Sequence, residues 1–140
     1  MQRSPAYFPL TLVALVLAFA VVVLGAYTRL SDAGLGCPDW PGCYGNLAVP
    51  QVAREVREAN ELYPDRPVHH GKAWKEMAHR YAAGTLGLII LTLTLLAWKN
   101  RHAAGQPVRV PVLLLALVVF QALLGMWTVT WLLKPIVVTA

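Results

Sequence analysis

The chain has 140 residues, enough for one domain, and 57% of them are hydrophobic against 14% charged, far outside the usage of soluble proteins. That balance excludes a free-standing cytosolic enzyme. The net charge of +5 would suit nucleic acid, but the bases are scattered among loops with no basic stripe and interleaved aromatics, so nucleic acid is excluded as a partner too.

The apolar residues gather into blocks free of Asp, Glu, Lys and Arg, at 4–28, 81–98 and 110–133. Each can cross a bilayer, for which about 20 apolar residues suffice. The expected order is a helix over 7–28, an outer loop over 29–73, a helix over 74–98, an inner loop over 99–109 and a helix over 110–131. Residues 135–140 start a further helix that stops too early to cross by itself, so the chain reads as cut off inside an element. The expected fold class is all-α and integral to a membrane, with three complete transmembrane helices and the start of a fourth.

The first block could be a cleaved signal peptide or an anchor. Its core from Leu10 to Leu24 reaches the upper limit for a signal, and no A-x-A-like site with a polar continuation precedes Gly25, which favours the anchor. Orientation follows from the loops. The segment Lys99 to Arg109 holds three bases and no acid, whereas Thr28 to Trp74 holds five bases and six acids over four times the length. Lys and Arg concentrate in cytoplasmic loops. The amino terminus with Arg3 is therefore expected inside and the long segment outside, with membrane lipid as the solvent of the spans.

Cys37 and Cys43 are the only cysteines and lie in that outer segment, where an oxidising compartment permits a disulfide. In CPDWPGC the two prolines and Gly42 bend the chain back, so the sulfurs can meet. Closing so small a ring is worth roughly 2.4 kcal/mol by chain entropy. Two readings stay open, a structural staple and a redox-active pair, and the absence of a C-x-x-C motif favours the staple. Next, Pro50 suits a first-turn position, while Val52, Val56, Ala59 and Leu62 recur at helical spacing. Arg54/Glu58 and Arg57/Glu61 are i,i+4 pairs, so a short helix ended by Pro64 and Pro67 is predicted on the membrane surface or capping the bundle. His69 and His70 follow, read as solvated loop residues.

The second span enters the membrane as Lys72-Ala-Trp-Lys75-Glu76-Met-Ala-His79-Arg80-Tyr81. Ionisable groups at such positions are expensive and usually face the bundle interior. Glu76 and His79 are three apart, on one helical face, and Ala83 and Gly87 continue that face with room beside the histidine. Three readings are open. Small residues let another helix pack closely, leaving His79 a packing residue. Glu76 and His79 could handle protons as a pair. A haem, for which histidine is the usual axial ligand, needs such a cleared face and is favoured. Lys72, Lys75 and Arg80 at the outer end call for an anionic partner such as haem propionates, with Arg29 able to join them. Snorkelling to lipid headgroups is the alternative for Lys72 and Lys75. With Trp74 at the aromatic belt, His79 lies about 7 to 8 Å below it at 1.5 Å per residue.

In the third span Gln121, Gly125 and Thr128 share a face expected to turn inward, with Gln121 hydrogen-bonding across helices. Trp127 and Trp131 read as core and interface anchors, and His102 as solvated in the inner loop.

Taken together, Gly25-Ala-Tyr-Thr-Arg29-Leu, then GLGCPDWPGCYG over 34–45, then Glu76-Met-Ala-His79-Arg80-Tyr, then Gln121-Ala-Leu-Leu-Gly125-Met-Trp-Thr-Val-Thr130, resemble the amino-terminal half of the haem A synthases, in their bacterial, Cys-containing branch. The resemblance covers nearly all of the chain. It implies eight membrane helices in two similar four-helix halves, an inner (plasma) membrane protein with its Cys-containing loop in the periplasm, and oxidation of a porphyrin methyl of haem O to the formyl of haem A. It further implies that His79 is an axial ligand of haem iron, that Glu76 is the carboxylate implicated in catalysis, and that Cys37 and Cys43 form the outer-loop disulfide. Haem O is the implied substrate of this half and haem b the cofactor of the other; haem O synthase and an electron donor are implied partners in cytochrome oxidase maturation.

One departure stands out. The family's second histidine of this half follows a Val-Thr-like stretch at the start of the fourth helix, and this chain ends at Val137-Val138-Thr139-Ala140. The expectation is a truncated or split gene product, inactive alone, or a chain that pairs with a second polypeptide supplying the rest. Two rival functions are a b-type haem protein that transfers electrons without altering the porphyrin, and an assembly subunit without haem.

Overall fold

The structure, a computed structural model, describes residues 7–131. The stub at 135–140 and Arg3 lie outside the described residues. Four helices follow one another: α1 (Tyr7–Leu30), α2 (Ala53–Leu62), α3 (His70–Lys99) and α4 (Arg109–Thr130). Among the described residues there is no named β-strand, only an isolated bridge between Cys43 and Asn46. Helices α1, α3 and α4 are long and apolar enough to cross a membrane. An all-α, multi-pass membrane protein is thus what the chain folds into.

Each helix ends for a local reason. Asp32 takes the left-handed conformation at φ 50°, which short polar side chains tolerate, and the Ala33 N–H returns to the Thr28 carbonyl at 2.9 Å to close α1. Pro111 sits buried in the first turn of α4, where backbone N–H groups lack helical partners in any case. Its carbonyl accepts from the buried Thr94 hydroxyl at 3.0 Å, which joins α4 to α3.

Helix α3 is the centre: it packs against α1 on one side and α4 on the other, and α1 and α4 do not pack on each other. Ala14, Leu86, Ile90 and Leu93 form the core between the spans, lined by Leu17, Val21, Leu115 and Val118. A second core lies above it. Cys37, Cys43, Tyr44, Val49 and Ala59 gather around Ala73 and Met77 of α3, so the segment between α1 and α3 is a folded cap built on the first turns of α3.

Several boundaries differ from expectation. The second span starts at His70, so His70 is helical and only His69 stays outside, at the N-cap. The cause is the cap core, which needs Ala73 in helical register. Pro50 lies ahead of α2 and is among the most buried side chains, packing instead of opening the helix. Glu55 does the opening, accepting from the Gln51 N–H at 3.1 Å and the Val52 N–H at 3.5 Å. Arg54 and Glu58 pair at 3.4 Å, as their spacing predicts.

Candidate functional site

Three turns of α3 carry the chemistry, and they divide it between two neighbours. Ala73, Glu76, Met77 and Arg80 recur at i, i+3, i+4 and i+7 and face the cap. Glu76 Oε2 accepts from the Cys37 N–H at 2.9 Å, and its Oε1 pairs with Arg80 Nη2. Arg80 Nη1 donates to the Asp39 carbonyl at 2.9 Å and to the carbonyl of Gly42. A carboxylate and a guanidinium one helical turn apart thus clip both ends of the disulfide loop onto the helix.

The loop is prepared to receive them. Cys37 and Cys43 are disulfide-bonded and fully buried. The Asp39 carboxylate accepts from the N–H groups of Tyr44 at 2.6 Å and Gly45 at 2.7 Å, holding a turn in which both residues have positive φ. Burial pushes the Tyr44 phenol above the usual tyrosine range, and its hydroxyl donates to the Pro67 carbonyl at 3.2 Å. Gly36 is needed for space: a Cβ there would meet the Lys72 backbone at 2.6 Å. With both sulfurs buried, the staple reading of the cysteines is the one the structure favours over disulfide exchange.

The other face of α3 meets α1. The His79 ring lies on Gly25, whose hypothetical Cβ would sit 3.0 Å from His79 Cε1, so any larger residue there would press on the imidazole. His79 Nδ1 is buried with no hydrogen-bond partner. Nearby, Lys75 Nζ stands 4.9 Å over the Tyr27 ring, and the Thr28 hydroxyl reaches the Lys75 carbonyl at 3.4 Å.

Glu76 and His79 share a turn of helix but not a neighbour, and among the described residues no hydrogen bond joins them. A proton-handling pair is therefore not assembled here. The basic cluster likewise has internal partners. Lys72 Nζ lies 2.7 Å from the Asp32 carboxylate, holding it below the usual carboxylate range, Lys75 rests on Tyr27, and Arg80 is committed to Glu76 and the loop. Lys72 and Arg80 thus have a carboxylate beside them, and Lys75 has only the neutral Tyr27 ring. Arg29 is exposed in the last turn of α1. Gly87 faces Val118 of α4, 3.7 Å from its Cβ position, so it serves helix packing and not clearance beside His79. Gln121 is exposed, and the Thr128 hydroxyl bonds within its own helix to Gly125 at 2.7 Å, so the stripe on α4 does not turn inward among the described residues.

Sequence reasoning missed Asp39, Tyr81 and the specific need for Gly25. Asp39 had a local signal, an acid shortly before Tyr-Gly in a loop rich in turn residues. Gly25 opened one of the motifs that carry the resemblance, but nothing local tied it to His79.

With this geometry in view, comparison with known proteins is informative. The COX15-CtaA family, described as cytochrome oxidase assembly protein, matches residues 9–140. A protein named Heme A synthase from Shewanella oneidensis is 52% identical over 126 residues, covering 90% of this chain and 37% of that relative. Proteins of the same name from Sinorhizobium fredii and Caulobacter vibrioides are 32% and 30% identical, over 80% and 81% of this chain and 34% and 36% of theirs. The chain thus spans little more than a third of the length of the curated relatives it matches. No solved structure matches it.

Proposed function

The chain belongs to the COX15-CtaA family of cytochrome oxidase assembly proteins, and from that premise we propose that it is the amino-terminal, haem O-receiving part of a haem A synthase. The observation that carries this reading is His79. An unpartnered buried nitrogen costs about 1–3 kcal/mol, and Nδ1 of His79, buried and unpaired beside the groove at Gly25, is a ring nitrogen available to a metal. The residues present therefore fit a haem iron ligand on α3.

In this reading haem O is the substrate, and a bound haem iron would supply the redox centre at which an external oxidant turns the methyl into the formyl of haem A. The chain's own residues bind and orient. His79 holds the iron, with Gly25 keeping α1 out of its way. Glu76, one turn before the ligand, is fixed in direction by the Cys37 N–H and Arg80; the resemblance alone assigns it the catalytic carboxylate, since it is turned to the cap and away from His79. Arg29 at the end of α1 is the cation for a propionate. Arg80 acts through Glu76 and the loop. Haem b, haem O synthase and an electron donor belong to the complete enzyme of this reading, in a bacterial plasma membrane with the amino terminus cytoplasmic and the cap periplasmic.

The test is a chimaera in which this chain replaces the matching segment of the Shewanella relative, expressed with a haem O source, followed by pigment extraction and chromatography. Haem A is expected, and His79→Ala in the same chimaera should abolish it. Recovery of unmodified haem alone would favour an electron carrier. No pigment in either version would favour an assembly subunit and overturn the assignment.

A further inference from the structure

We infer that the disulfide loop, 37–47, is seated in the lipid interface at the headgroup–acyl boundary, with Trp40 and Leu47 against acyl chains, and does not stand free in water. This holds whether or not the chain binds haem.

Depth is the first ground. Helix α3 has 30 residues, about 45 Å at 1.5 Å per residue and well over the roughly 30 Å of a hydrocarbon core. All its charges before Lys99 fall between Lys72 and Arg80, and 81–98 has none. The boundary therefore crosses α3 near Arg80 and Tyr81. Those two residues are the ones that hold the loop. Arg80 takes the carbonyls of Asp39 and Gly42, and the Tyr81 hydroxyl donates to the Leu47 carbonyl at 2.6 Å. Helical side chains lean toward the N-terminus by about a turn, so the loop lies level with residues 76 to 81, alongside the boundary. Helix α1 stays uncharged up to Thr28, which lies beside Lys75, so its apolar stretch reaches at least as far out as the loop.

Chemistry is the second ground. From Trp40 to Ala53 the chain carries no Asp, Glu, Lys or Arg, while charge resumes at once in α2. Leu47 is 86% and Trp40 40% exposed, and Tyr81 beside them is half exposed. Tryptophan and tyrosine favour the interface. The backbone is prepared for poor hydration as well. Cys43 and Asn46 exchange bonds of 2.8 and 3.1 Å, the Tyr44 carbonyl takes the Asn46 amide at 3.1 Å, and the Val49 carbonyl takes Gln51 at 3.2 Å. Irregular backbone survives near hydrocarbon only when its polar groups are satisfied internally. The one acid of the loop, Asp39, spends both oxygens on N–H groups of the same turn.

Fluorescence decides it. A variant keeping Trp40 as its sole tryptophan, the other four changed to Phe, is placed in lipid nanodiscs containing lipids brominated high on the acyl chain or deep in it, and titrated with aqueous iodide. High-chain bromine should quench Trp40 more strongly than deep-chain bromine, and iodide should reach it poorly. Full quenching by iodide with none by either bromolipid would overturn the inference. Should four substitutions spoil folding, seen as a disulfide open to reductant, Leu47→p-benzoylphenylalanine in the otherwise native chain gives the same decision. Irradiation should yield lipid adducts by mass spectrometry; hydrated photoproduct or protein adducts alone would refute it.

Discussion

His79 shows how one glycine sets the use of a side chain on another helix. The imidazole fills the groove left by Gly25, and a Cβ at Gly25 would come within 3.0 Å of the ring, closer than real carbon atoms settle without movement. Close packing in protein interiors transmits such a misfit instead of absorbing it. Gly25→Ala should therefore push the ring or widen the α1–α3 spacing by a few tenths of an ångström. In the chimaera, the expected result is a marked loss of haem content per protein and a shifted Soret band. Gly87→Ala is the matched control, because its Cβ would stand 3.7 Å from Val118, an ordinary contact, and should leave the pigment unchanged. Equal loss in both variants would mean that general helix packing, and not the seat of the imidazole, is being read.

At the scale of elements, the decisive junction is the cap on α3. Arg80 and Glu76 are nearly buried, with side chains 12% and 6% exposed. Removing one partner of such a pair costs about 3–5 kcal/mol, since the other charge is left unpaired. Arg80→Ala should thus detach the disulfide loop locally, and the rate at which Cys37–Cys43 is reduced by dithiothreitol should rise on the order of a hundredfold or more, at roughly tenfold per 1.4 kcal/mol. Arg54→Ala, which breaks an exposed pair worth about 0.2–1 kcal/mol, should leave that rate unaltered. Much of this element was legible in the sequence and part was not. Charge-free blocks of the right length gave the spans, because a bilayer imposes length and polarity on a local stretch. Cys37, Cys43, Glu76 and Arg80 were each visible as unusual. What joins them was not, because Cys37 to Glu76 is a contact across 39 positions fixed by tertiary packing. Spacing alone put Glu76 and His79 on one face, whereas the cap draws the first away and α1 takes the second.

For the whole molecule the governing quantity is the asymmetry between the two ends of the spans. The loop joining α3 to α4 carries Lys99, Arg101 and Arg109 without an acid, and Arg101 lies over the Trp98 ring at 5.5 Å from its centroid, a cation anchored to an interfacial aromatic. At the opposite end, the bases of the α3 entrance have partners inside the fold: Asp32 for Lys72, Tyr27 for Lys75, and Glu76 with the loop for Arg80. Lys72 and Arg80 thus have carboxylates beside them that offset their charge, whereas the three bases of the α3–α4 loop have no acid in their loop, and the proposed orientation keeps that loop on the cytoplasmic side. An oxidising exterior is where a Cys37–Cys43 disulfide would persist, so the proposed orientation and the staple require each other. Alkaline phosphatase folds to an active enzyme only outside the plasma membrane and reports the side directly. Fused after Asn60, in the cap, it should be active; fused after Ala104, in the α3–α4 loop, it should be inactive. Replacing Lys99, Arg101 and Arg109 together by Gln should raise activity of the second fusion, because the charge that retains that loop is gone. High activity at Ala104 with the native bases in place would invert the orientation and put the cap, with its disulfide, on the reducing side.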